Sequence, residues 1–180
     1  MNYGFAEITH PNWQLPPSHP DCQATVEAMK DVMRFWLDKG ADGFRVDMAD
    51  SLVKNEDGEK PETCKVWRNI RKMLDEEYPE AAIISEWSRP HTSIGAGFHS
   101  DFYLDHDNNG YRYLFREKDK ETGECKAVFS KNGKGDITKF LDDYLDELKA
   151  IKGKGYISFI TCNHDTPRTV SYTHLRAHET

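Results

Sequence analysis

Gly43-Phe44-Arg45-Val46-Asp47 is the stretch whose reading decides the fold. Side chains alternate along a strand, so Gly43, Arg45 and Asp47 share one face while Phe44 and Val46 share the other. The apolar pair is suited to packing under helices. The polar pair places a guanidinium beside a carboxylate, which favours the ionised carboxylate. Charges at the end of a buried strand are costly in a core and natural at a site.

The flanking segments read as helices. Val26, Met29, Met33, Trp36 and Leu37 follow helical spacing over 21–39, with Gly40 as the stop. Val66, Ile70, Met73 and Leu74 do the same over 61–78, with Pro79 beyond. A third helix is expected over 136–151, with Phe140, Leu141, Tyr144, Leu145 and Leu148 inward and Gly153 as the stop. Short strands are expected at 43–47, 82–86, 100–104 and 156–161. Helices between short apolar strands imply right-handed βαβ units and a parallel sheet. The Lys-, Glu- and Gly-rich region 117–135 reads as an excursion with a small hairpin around Cys125–Phe129.

Composition narrows the class. The chain has 180 residues, 37% hydrophobic and 31% charged, enough for one sizeable core. The net charge of −7 has no basic stripe, which speaks against nucleic acid as a partner. No apolar run approaches the ~18 residues of a membrane span, so no membrane partner is expected. The four cysteines, Cys22, Cys64, Cys125 and Cys162, form no C-x-x-C pair and read as free thiols, leaning towards a reducing compartment. Localisation is otherwise open, with the cytoplasm favoured, because any signal peptide would lie upstream of Met1.

Polar residues gather where the strands end: Asp47, Glu86, Asp105 and Asn163-His164-Asp165. That rim is the catalytic face of a (β/α)₈ barrel and the ligand side of a doubly wound sheet. The absence of a Gly-rich phosphate loop speaks against nucleotide. Paired carboxylates suit glycoside hydrolysis, in which one attacks the sugar and the other protonates the leaving oxygen. Asp47 beside Arg45 suits the ionised nucleophile. Glu86, between Ile83-Ile84-Ser85 and Trp87, is expected in an apolar, aromatic setting that raises its pKa and suits a proton donor. Asp165 could stabilise developing positive charge and His164 could bond sugar hydroxyls. Singly, a strand-end Asp is an ordinary helix cap, Arg-x-Asp an ordinary ion pair and His-Asp an ordinary structural pair. It is their succession along strands that points to a site.

These segments carry a resemblance. Gly43-Phe44-Arg45-Val46-Asp47, Ile84-Ser85-Glu86-Trp87 and Phe159-Ile160-Thr161-Cys162-Asn163-His164-Asp165 resemble the fourth-, fifth- and seventh-strand motifs of the α-amylase family of glycoside hydrolases (family 13), in the family's order. The resemblance implies an α/β fold, a partial TIM (β/α)₈ barrel of roughly strands 4 to 7, over 1–170. It implies Asp47 as nucleophile, Glu86 as general acid/base and Asp165 as transition-state stabiliser. Arg45, His164 and Asn163 would be substrate-binding. The implied function is that of a fragment of a retaining α-glycosidase hydrolysing α-glucosidic bonds in starch-like oligosaccharides or α-glucosides. Asp50 and Ser51 stand where many amylases carry Lys and His for aglycone subsites, which leaves specificity open.

A trehalose-forming transglycosylase or isomerase of the same family would use the same carboxylates. A catalytically silent amylase-like binding module would be expected to have lost them. A metal-dependent hydrolase using His99, Asp101, His106 and Asp107 is a third reading, set against a plain polar strand end. No metal or cofactor is assigned, although structural calcium is possible in the complete protein. A barrel takes roughly 250 residues, so the chain alone is expected to be marginally stable and inactive. Ser171-to-Thr180, SYTHLRAHET, has no periodicity and resembles a translated adapter, so it is expected to be a non-native tail; Met1 is read as internal.

Overall fold

A computed structural model describes residues 1–104, 109–130, 133, 136–166 and 168. Four parallel strands form one sheet: β1 (Gly43–Val46), β2 (Ala82–Ser85), β3 (Ser100–Tyr103) and β4 (Tyr156–Phe159). Their spatial order is their chain order, β1-β2-β3-β4. A doubly wound sheet reverses its order at a switch point; here there is no reversal, as in a barrel wall.

The helices α1 (Pro20–Asp38), α2 (Pro61–Glu77), α3 (Pro90–Gly95), α4 (Arg112–Phe115) and α5 (Thr138–Ile151) complete the fold. Along the sheet, α1 touches α2, α2 touches α3 and α3 touches α5, in one continuous layer. The three long helices agree with expectation to within two residues. α1 begins with Pro20 in its first turn and stops at Gly40, which takes φ +95°, the left-handed geometry that suits glycine. α2 also opens on proline, at Pro61. α3 and α4 were not anticipated, because six and four residues are too few to display a helical period. The expected hairpin around Cys125–Phe129 reduces to one antiparallel bridge, Lys118 with Cys125, closing a turn whose amides are held by Asp119.

The sheet has two unlike faces. On the helix side, Ile83, Phe44, Val46 and Ile157 join Val26, Met33, Leu37, Val66, Trp67, Ile70, Leu74 and Phe98 in one core. A second, aromatic cluster gathers Tyr103, Tyr111, Phe140 and Tyr144 around Phe159, with Phe140 stacked on Tyr144 at 5.3 Å. The opposite face carries Arg45, Ile84, Ser100, Phe102, Tyr156 and Ser158, of which Tyr156 is well exposed. Gly43 is required on that face: a Cβ there would lie 1.9 Å from the carbonyl oxygen of Ala82 on β2.

The apolar row of α2 is buried throughout, as expected. That of α5 is not: Phe140 and Ile151 are covered, but Leu141, Leu145 and Leu148 are exposed. Among the described residues, no element packs on that row. All four cysteines are free thiols, and Cys22 and Cys64 are buried. No helix among the described residues is long and apolar enough to cross a membrane. The expected tail at 171–180 lies outside the described residues, as do Asp105, His106 and Asp107.

Candidate active site

The C-terminal ends of β1 and β2 place Asp47 and Glu86 side by side. The ladder between the strands runs one residue past β2: the Glu86 amide donates to the Val46 carbonyl (2.9 Å), and the Glu86 carbonyl accepts from the Ala49 amide (3.4 Å). The turn after Asp47 is secured from below, where the Trp67 indole N–H on α2 donates to the Ala49 carbonyl at 2.8 Å. Met48 takes the left-handed conformation, φ +42°, as the chain leaves the strand.

Arg45 binds both carboxyls. Its Nη1 lies 2.6 Å from Asp47 Oδ1 and its Nη2 lies 2.6 Å from Glu86 Oε1. The neighbouring Glu86 carboxyl and the Arg45 guanidinium together hold Asp47 below the usual carboxylate range. The two carboxylates raise the already high pKa of Arg45 further, against the effect of its own burial. Asp47 is 60% exposed at its side chain and Glu86 only 11%. One carboxyl therefore meets solvent while the other sits within the wall.

The expected surroundings of Glu86 need correction. Its carboxyl pairs with Arg45 and Asn163, although Trp87 also borders the cavity that Glu86 lines. Trp87, one residue on, points to the helix side and packs edge-on against Phe98 at 6.4 Å. Alternation along the strand sends neighbours to opposite faces.

Asn163 joins the third segment to the first two. Its side-chain amide donates to Glu86 Oε1 at 3.3 Å. Its Oδ1 accepts from the amides of Asp165 (3.0 Å) and Thr166 (2.8 Å) and from the Thr166 hydroxyl (2.9 Å). That turn sets Asp165, which lies 3.2 Å from His164 Nε2; both are mainly exposed. Asp165 and Glu86 line one cavity of about 360 Å³, together with Met48, Asp50, Ser51, Leu104 and Asn163. All six site residues expected from the sequence thus lie at the C-terminal ends of β1, β2 and β4: Arg45 bridges Asp47 and Glu86, Asn163 bonds Glu86, and Asp165, beside His164, lines the cavity with Glu86. The sequence reading did not find Met48 or Leu104 as lining groups; their only signal was position just past a strand.

Of the four residues of the metal-ligand reading, His106 and Asp107 lie outside the described residues, and His99 and Asp101 each have other partners. His99 Nδ1 accepts from the Ile83 amide at 3.1 Å, and Asp101 is buried against Ser85 and Trp87. Among the described residues no group of three or more His, Cys, Asp or Glu is arranged to hold an ion, and no step below uses one.

Residues 14–179 match the family described as the catalytic domain of α-amylase. The chain belongs to the α-amylase family. Over 101 residues it is 42% identical to the trehalose synthase/amylase TreS of Mycolicibacterium smegmatis, covering 46% of this chain and 17% of that protein. Over 180 residues it is 24% identical to the probable oligo-1,6-glucosidase 2 of Bacillus subtilis, covering 89% of this chain and 30% of the relative. The chain thus spans under a third of the length of these curated relatives.

Among solved structures, a variant of MutB in complex with the substrate sucrose superposes with a TM-score of 0.58 at 18% identity. That match covers 88% of this chain and 30% of the other. The maltogenic amylase from S. marinus superposes with a TM-score of 0.55 at 16% identity, over 85% of this chain and 19% of that one. The four-stranded sheet of this α-amylase family chain is therefore a segment of a (β/α)₈ barrel, roughly its strands 4 to 7.

Proposed function

We propose that the complete enzyme cleaves α-glucosidic bonds with retention, through Asp47 and Glu86. The observation that carries this reading is the shared grip of Arg45 on the two carboxyls, each at 2.6 Å. Carboxyls held this closely belong with the ~5 Å separation of retaining enzymes and not with the wider ~6.5–9.5 Å gap that an inverting enzyme leaves for water.

In the first step an Asp47 carboxylate oxygen bonds to the anomeric carbon. The bond to the leaving oxygen breaks, and that oxygen takes the proton of Glu86. In the second step an incoming hydroxyl gives its proton to Glu86 and bonds to the anomeric carbon, releasing Asp47. The lowered pKa of Asp47 keeps the nucleophile charged, and Asp165 faces the positive charge that develops on the sugar. His164 and Asn163 are positioned to bind hydroxyls of the same sugar, and short α-glucosides or α-glucans are the substrate class.

Replacing Asp47 by Ala in the complete enzyme should lower the rate by at least about 10⁴-fold. An unchanged rate would favour the silent binding module, against which the retention of Asp47, Glu86 and Asp165 already speaks. The isolated 180-residue chain should be inactive, because the rest of the barrel must complete the sugar site; detectable maltooligosaccharide hydrolysis by it would refute this.

A second reading is favoured by one observation, the 42% identity to a protein named trehalose synthase/amylase. In that case a sugar hydroxyl takes the place of water in the second step. Product analysis on maltose separates the readings: glucose as the sole product marks hydrolysis, and trehalose or longer sugars mark transfer.

A further inference from the structure

The turn that carries Glu86 closes around a second carboxyl, which is wholly buried. Asp101 on β3 stands opposite Ser85 on β2 in register, so both side chains project to the helix side. Asp101 Oδ1 accepts from the Ser85 hydroxyl at 2.6 Å and from the Trp87 amide at 3.1 Å. The amides of Ser88 and Arg89 also favour its charged form. Neither reaches hydrogen-bonding geometry with Oδ2, which has no partner among the described residues.

The chain turns sharply after Trp87, a geometry that puts one residue in the left-handed region. Ser88 supplies it, with φ +62°. Ser88 is itself fastened to the end of β3. Its hydroxyl donates to the Phe102 carbonyl at 3.2 Å and accepts from the Leu104 amide at 3.0 Å. The residues before and after Glu86 are therefore both tied to β3, and the shared anchor is one carboxyl oxygen.

We propose that Asp101 is a positioning residue for Glu86: by gripping Ser85 and Trp87 from beneath the sheet, it fixes the direction in which Glu86 presents its carboxyl to the leaving oxygen. The proposal rests on the reading of Glu86 as the acid/base. Burial pushes the Asp101 carboxyl up to about 7, so near neutral pH both protonation states are populated. In either state Oδ1 remains an acceptor for the two donors, so the grip survives the titration.

A residue that merely held β2 to β3 would, when removed, damage every substrate alike. A residue that aims the acid would matter most where the leaving oxygen needs a proton. The test compares kcat/KM of the complete enzyme on maltose, whose leaving sugar needs protonation, with kcat/KM on α-glucosyl fluoride, whose leaving group does not. Asp101→Ala should lower the maltose value by about tenfold to a hundredfold, while the fluoride value changes less than about threefold. Asp101→Asn, which keeps the acceptor oxygen, should largely restore the maltose value. Ser85→Ala removes one of the two ties and should lower the maltose value by about threefold to tenfold, again sparing the fluoride. It keeps the test available should Asp101→Ala fail to fold.

Glu86→Gln is the reference and should lose maltose cleavage while sparing the fluoride. If Glu86→Gln leaves maltose cleavage intact, the acid/base reading fails and takes the proposal with it. If Glu86→Gln behaves as expected but Asp101→Ala and Ser85→Ala lower both substrates equally, or neither, the positioning role alone is overturned.

Discussion

α2 and α5 have the same kind of apolar row and opposite fates. On α2, Val66, Ile70, Met73 and Leu74 are all buried, between α1 on one side and α3 on the other. On α5, Phe140 is covered, yet Leu145 remains 51% exposed and Leu141 and Leu148 stand beside it. A mirror of this occurs on α1, where Val32 and Trp36 border an apolar cleft of about 550 Å³ that reaches Phe44 and Asp47. Periodicity states which side chains favour burial; it does not supply the neighbour. Among the described residues of this barrel segment, the middle has its neighbours and the flanks do not.

Substitutions can break that contrast. Ile70 is 0% exposed, and Ile70→Ala in the isolated chain should lower unfolding free energy by about 2–5 kcal/mol. Urea denaturation followed by tryptophan fluorescence measures this, and a loss below about 1 kcal/mol would deny α2 its well-packed interior.

A pH effect should come next in size. Unfolded, the Asp101 carboxyl ionises near its ordinary 3.8; folded, burial holds it to about 7. Between those values the folded chain keeps a proton that the unfolded chain has released, so folding stability falls as pH rises through this window. Urea midpoints at pH 4.5 and pH 8 should show the decline, and Asp101→Asn should flatten it. An equally steep decline in that variant would assign the slope to other groups.

The smallest effect is expected on the exposed row. Leu145→Ala should change the stability of the isolated chain by no more than about 0.5 kcal/mol. The same substitution in the complete enzyme should cost about 2 kcal/mol or more, and equal costs in both contexts would show that the row is not an interface for the rest of the barrel.

Much of the site could be read from residues alone. Alternation along Gly43–Asp47 separated the apolar from the charged face, and the structure keeps that separation, with Arg45 on Asp47 at 2.6 Å. The helices around it were marked by their own caps: Pro20, Pro61 and Gly40. The hidden parts depend on pairing between distant segments. That Asp101 lies under the Glu86 turn follows from the register of β3 on β2, which one residue of slip would reverse. That Asn163 reaches Glu86, and that His99 serves the Ile83 amide, follow likewise from adjacency across strands. The orientation of Trp87 is the exception: alternation already implied that its ring packs on the helix side, against Phe98, while the Glu86 carboxyl turns to Arg45.

By itself the sequence determined the local elements, the charged face of the first strand and, through its three motifs, membership of the α-amylase family. Those depend on short-range periodicity and on residue types that the chain displays wherever it folds. Only the tertiary structure decided which apolar rows are covered, how one guanidinium serves two carboxyls, and that a buried aspartate on the next strand grips the residues beside Glu86. Each of these needs groups far apart in the chain to be brought within hydrogen-bonding or van der Waals distance, and strand register alone fixes which ones meet.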